Sequence, residues 1–179
     1  MSSVSPLDGR YKKDVQELGE YFSEQALMRF RVFVEIKYLI FLSKTASLKK
    51  KVSINTKEKK ALEDIYKSFS QREYNAIKRI ESKTKHDVGA VVEYLSGKVE
   101  GISEDLVPWI HFGLTSEDIN NVAYALMIKG AVEGPVFGSL FRFSSALKKM
   151  VVKKTIRLKV SLWNLMLKIV MVVYIHKKY

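Results

Sequence analysis

The 179-residue chain is 47% hydrophobic, 28% charged and free of cysteine, which excludes a disordered polymer, a disulfide framework, a thiolate metal site and cysteine nucleophilic chemistry. Its length allows one sizeable core rather than several. The net charge of +12 is uneven: up to Glu133 there are 21 basic against 19 acidic residues, whereas the last 46 residues carry 10 basic groups and no acid, so the body of the chain is nearly neutral and only its tail is basic.

The opening, Met1 to Pro6 followed by Asp8, Arg10, Lys12 and Lys13, lacks the apolar run of a secretory signal, and the cytoplasm is the expected compartment. From Ser23 to about Ser43, Leu27, Phe30, Val34, Tyr38 and Phe41 recur at helical three-and-four spacing, with Ala26, Phe33, Ile36 and Ile40 widening the apolar face. The spacing predicts a long, mostly buried helix. Glu24, Arg29, Arg31, Glu35 and Lys37 within it argue for a core helix over a membrane span. After a Lys/Ser-rich connector, Ser47 to Ser53, Asn55 and Glu58 spell a capping box, followed by the stripe Ala61, Leu62, Ile65, Tyr66, Phe69. Ser70 and Glu73 repeat that start signal ahead of Ala76, Ile77 and Ile80.

Thr84 to Asp87 breaks the pattern before Val88, Val91, Val92 and Leu95 resume it, which predicts Asp87 as an N-cap with His86 just outside. A short segment from Asp105 ends at Gly113, and Thr115 or Ser116 caps a further helix through Ile119, Val122, Ala123, Leu126 and Met127. Gly130 and Gly134-Pro135 are expected to interrupt or end it. Beyond Met150, lysine pairs alternate with Val, Ile and Leu, a texture that reads as strand or as no regular structure. The apolar run from Val160 to Ile175 contains Lys168 and falls short of the roughly 20 residues a spanning helix needs, so no membrane role is expected.

His86, His111 and His176 stand at no ligand spacing from one another, and no metal is expected. Phosphate loops, dinucleotide glycine fingerprints and nucleophile elbows do not occur. The chemistry-bearing candidates are two polar clusters at helix starts, Lys85-His86-Asp87 and Thr115-Ser116-Glu117-Asp118, and an early Gly9-Arg10-Tyr11 turn. Helix N-termini present unpaired N–H groups and a partial positive charge, which suits carboxylates and phosphates, although most caps only satisfy their own helix. His111 reads as a packed structural histidine; Trp109, Phe112, Phe30, Tyr38 and Phe41 read as core. Lys49 to Lys51, Lys57, Lys59 and Lys60 read as solvated faces.

Pro6-Leu7-Asp8-Gly9-Arg10-Tyr11, Lys85-His86-Asp87-Val88 and Gly113-Leu114-Thr115-Ser116-Glu117-Asp118-Ile119-Asn120-Asn121, in this order, resemble the amino-terminal part of the adenylosuccinate lyases, a branch of the fumarase/aspartase superfamily. The resemblance runs from about Ser5 to Lys129. It implies an all-α fold, with an N-terminal helical domain over residues 1–112 and the start of a central helical-bundle domain over 113–150, and a basic, apolar tail over 151–179 that looks foreign to the family. It implies a cytoplasmic homotetramer, active sites assembled from several subunits, no cofactor, and β-elimination of fumarate from adenylosuccinate and from the succinyl-carboxamide intermediate of purine biosynthesis.

By resemblance, Arg10 and Tyr11 contact the phosphate end of the nucleotide, His86 and Asp87 line the pocket, His86 assists catalysis, and Thr115 and Ser116 bind a succinyl carboxylate. Lys85 belongs to the same substrate-binding cluster, although it replaces the asparagine expected of close relatives. The family's T-H-G-Q-P-A-T-P-like and S-S-x-M-P-x-K-x-N-P-like stretches, which carry the principal acid and base, are not found in these residues. The expectation is therefore a truncated chain, inactive alone, whose partners are a small nucleotide and other subunits, with neither membrane nor nucleic acid. The rival expectation is a non-catalytic helical module that holds nucleic acid or an acidic surface through its basic tail.

Overall fold

The structure, a computed structural model, describes residues 5–45, 51–154 and 166–168, with only the backbone described at 151–154. Every regular element among these residues is helical. The chain divides into two compact units, residues 1–135 and 136–179.

In the first unit a turn-rich segment leads through a short 3-10 turn, Gln16–Leu18, into α1 (Gly19–Phe22), then α2 (Glu24–Leu42), α3 (Thr56–Lys67), α4 (Gln71–Thr84), α5 (Asp87–Glu100), a 3-10 turn (Glu104–Trp109) and α6 (Ser116–Ala131). Helix α2 begins where its sequence says, with the Ser23 hydroxyl accepting the Ala26 N–H. It lacks a continuous polar face because it is covered from two sides. Met28, Val32, Ile36 and Leu39 join Leu62 of α3, Ile77 of α4 and Val91, Leu95 and Val99 of α5 in the main core, while Val34 packs with Ile119 and Ala123 of α6 in a second cluster. The aromatic expectation needs correction at Phe41 and Phe112, which are 62% and 46% exposed. At its C-terminal end α2 turns Leu39, Ile40 and Leu42 inward, and Phe41 points to the uncovered side.

The capping boxes at Asn55/Glu58 and Ser70/Glu73 form as read. Helix α4 ends on Lys85 in the left-handed region, φ 56°, with its N–H donated to the Glu81 carbonyl at 2.8 Å. That conformation favours glycine or asparagine over a residue with a long side chain. Lys85→Gly is accordingly expected to raise stability by about 0.5–1 kcal/mol, read as a higher midpoint in urea.

Gly130 does not end α6, contrary to the sequence reading. A Cβ there would stand 2.5 Å from Tyr21 Cε1, so the glycine permits close approach of the α1 tyrosine and the helix continues to Ala131. The break falls at Gly134, whose ψ of −109° leaves helical values ahead of Pro135.

The second unit contains α7 (Phe137–Lys154) and a helical turn at 166–168. The strand reading beyond Met150 is corrected for Val151 to Lys154, which complete the last turn of α7; the remainder of that stretch, apart from 166–168, lies outside the described residues. Phe137, Leu140, Phe141 and Phe143 of α7 are exposed within the structure. No helix among the described residues is long and apolar enough to cross a membrane.

Candidate functional site

The start of α5 differs by one residue from its sequence reading. His86, not Asp87, is the N-cap: its Nδ1 accepts the Gly89 N–H at 2.9 Å. A neutral ring used this way carries its proton on Nε2, leaving that N–H as its donor. Gly89 is the seat of the ring, since a Cβ there would meet His86 Cγ at 3.2 Å. Asp87 is drawn away from capping by a stronger partner, because its Oδ2 accepts from Arg31 Nη2 at 2.6 Å while Oδ1 accepts the Val88 N–H at 2.8 Å. Burial opposes ionisation of Asp87, but the Val88 amide and the Arg31 guanidinium outweigh it and hold the carboxyl below its usual range.

Arg31 is 2% exposed and reaches a second helix start as well. Its Nε donates to Asn120 Oδ1 at 2.9 Å, and Asn120 Nδ2 donates to Glu117 Oε1 at 3.1 Å. One guanidinium therefore ties the His86-Asp87 start of α5 to the first turn of α6. Here Thr115 is the cap, in a reciprocal box: its Oγ1 and N–H both donate to Asp118 Oδ2, at 2.8 and 2.7 Å. The Thr115 hydroxyl proton is thus engaged by its own helix, whereas the half-buried Ser116 makes no side-chain hydrogen bond among the described residues. Arg10 and Tyr11 lie in an exposed turn, the guanidinium 5.5 Å from the centre of the neighbouring ring, and no hydrogen bond or ion pair among the described residues joins them to the two helix starts.

Sequence reasoning missed Arg31 and Glu35 as site-forming groups. They stand one turn apart on α2, and of the charged residues of that helix, Glu24, Arg29, Arg31, Glu35 and Lys37, these two alone are buried, at 2% and 1% exposure. That i, i+4 pair of charges on a covered face was the available signal, because a charge is kept there only when something across the interface meets it. Glu35 meets His111, whose Nδ1 lies 2.6 Å from Oε1, while Oε2 has no partner among the described residues. His111 has a left-handed φ of 58° in the turn that leads to α6, its carbonyl accepting the Leu114 N–H at 3.2 Å.

Burial raises the Glu35 carboxyl above its usual range against the opposing pull of His111. An acid whose folded pKa exceeds its unfolded value makes the folded state bind more protons between the two, so its contribution to stability is lost as pH rises through that interval. Relative to Glu35→Gln, wild type should lose stability as pH is raised from about 4.5. Asp87 has the opposite sign: its stabilising contribution, compared with Asp87→Asn, is present above the unfolded value near 3.8 and lost as pH falls through the lower folded one. Urea midpoints measured across the acid range for the three proteins separate the two windows.

Fold and site together define an all-helical protein in which two helix starts, rich in hydrogen-bond donors, are joined through a buried arginine. Residues 9–160 match the family model described as lyase, and the chain belongs to that family. It is 46% identical over 137 residues to the adenylosuccinate lyase of Dictyostelium discoideum, covering 74% of this chain and 29% of that protein. Against the adenylosuccinate lyase of Legionella pneumophila strain Corby it is 42% identical over 134 residues, 74% of this chain and 29% of the relative. Against that of Buchnera aphidicola from Acyrthosiphon pisum the values are 36% over 159 residues, 86% and 34%. The chain thus spans about a third or less of the length of these curated relatives, and both the family match and the Buchnera alignment extend farther along it than Lys129.

Proposed function

We propose that the chain carries part of an adenylosuccinate-cleaving site, in which a C–H proton beside a succinyl carboxylate is removed, the C–N bond breaks, and fumarate departs from the nucleotide amine. The observation that supports this best is the joining of the His86-Asp87 and Thr115-Ser116 starts through Arg31 and Asn120. As the proton leaves, negative charge gathers on the carboxylate, and fixed donors stabilise it without reorganising. The Ser116 hydroxyl and the first amides of α6 suit that task; Thr115 joins them only by giving up its bond to Asp118. His86 donates from Nε2 and acts as an auxiliary group. Asp87 and Lys85 line the same mouth, and Arg10 and Tyr11 approach the phosphate when further chain or further subunits complete the pocket.

Under this reading residues 113–150 open a second, bundle-forming domain, the assembly is a cytoplasmic homotetramer, and the partners are a nucleotide and other subunits rather than nucleic acid. The 179-residue polypeptide by itself turns over negligibly, because a matched acid and base act together and loss of either costs orders of magnitude. With purified protein and adenylosuccinate, fumarate release should stay at background while the amide resonances of Val88 and Ser116 shift on titration. Steady turnover would refute the inactivity, and absence of shifts would refute the site. Salt-sensitive binding of nucleic acid, lost on removing residues 134–179, would favour the basic-tail module instead.

A further inference from the structure

A buried arginine is costly, and replacing a buried ion pair by well-packed apolar groups is often neutral or stabilising, so stability alone is a poor reason for α2 to carry Arg31 on a covered face. Its fork-shaped guanidinium does what an apolar side chain, or a lysine, does not: it directs two donors at two fixed acceptors. One acceptor is Asp87 Oδ2 at the start of α5, at 2.6 Å, and the other is Asn120 Oδ1, the fifth residue of α6, at 2.9 Å. Asn120 is itself 9% exposed and passes the contact on to Glu117. Asp87 has one oxygen on Arg31 and the other on the Val88 amide, so its charge is answered from within the protein at the mouth where the ligand of the proposed site is an anion. That neutralisation removes a repulsion that a free carboxylate would exert on a phosphate or a succinyl arm.

We propose that Arg31 is a positioning residue that couples the two helix starts, so that His86-Asp87 and Thr115-Ser116 are held as one unit and loosening either loosens both. The coupling stands on the geometry alone; its consequence for ligand binding rests on the function proposed above.

Native-state hydrogen exchange on the full chain tests it without ligand. In Asn120→Ala, which removes the α6 acceptor and touches no residue of α5, exchange should speed about tenfold at Gly89 and Ala90 as well as at Asp118 and Ile119. Arg31→Lys, which keeps the charge and loses the fork, should do the same. Leu62→Val, lowering stability through the core, serves as the control and should speed exchange evenly across the unit. Faster exchange confined to α6 in Asn120→Ala, or a control pattern matching that of the two variants, would overturn the proposal. In a second arm, adenylosuccinate affinity measured by amide shifts should fall about tenfold in Arg31→Lys at a temperature where variant and wild type are both folded; unchanged affinity there would overturn the positioning role in binding. Failure of the wild-type chain to bind would reject the proposed function, while the exchange pattern would still decide the coupling.

Discussion

Truncation of Leu95 to alanine is expected to lower the stability of the first unit by about 2–5 kcal/mol, measured as a fall in the urea midpoint at unchanged slope. Leu95 has no exposed surface and lies where α2, α3, α4 and α5 meet, so the lost methyl groups leave a cavity that several packed helices line. The same change at Val122, on the exposed side of α6 at 48% accessibility, should stay within about 0.5 kcal/mol. A loss at Leu95 no larger than that at Val122 would contradict the placement of the core. The prediction bears on the proposed site because α5 carries His86 and Asp87 at one end and Leu95 along its buried stripe. The core thereby sets where the helix start lies, and a softened core should also loosen the Arg31 contact.

Ser116→Ala should abolish most ligand-induced shift at α6, with affinity for adenylosuccinate down tenfold or more and thermal stability within about 0.5 kcal/mol of wild type. Thr115→Ala should behave in the reverse order of severity, losing about 1 kcal/mol of stability because the cap and its bond to Asp118 disappear together. The contrast arises from hydrogen-bond inventory. Thr115 already donates its hydroxyl proton to a carboxylate held below its usual range chiefly by the Thr115 amide and then by that hydroxyl, whereas Ser116 keeps its donor available. Equal affinity losses in the two variants, with neither destabilised, would show that the capping box opens freely and that both hydroxyls face the ligand.

Helix starts were legible from one sequence because their determinants are local. Ser23, Asn55, Ser70 and Thr115 each cap the helix that follows, and three of them do so in reciprocal boxes with an acid three residues on. The α5 start was misread by one residue for a reason outside that local grammar: Asp87 is the better cap by residue type, but Arg31, 56 positions away, claims its carboxylate and leaves His86 to close the helix. Gly130 was misread in the same way, its role being close approach to Tyr21 rather than a break in α6.

The apolar periodicities, the caps and the helix-start words by themselves determined that this is a helical protein of the lyase family and marked the residues around 86 and 116 as its polar mouths. Which of those side chains the fold already engages, as it does Thr115 and Asp87, and which keep a donor unused, as Ser116 does, was decided only by tertiary structure. Spacing along a chain reports the face a side chain shares with its near neighbours, since a helix repeats every 3.6 residues. It carries no record of a partner that arrives from another helix. Arg31 and Glu35 show the difference: in sequence they are two of five charges along α2, and in the folded unit one joins two helix starts while the other seats His111.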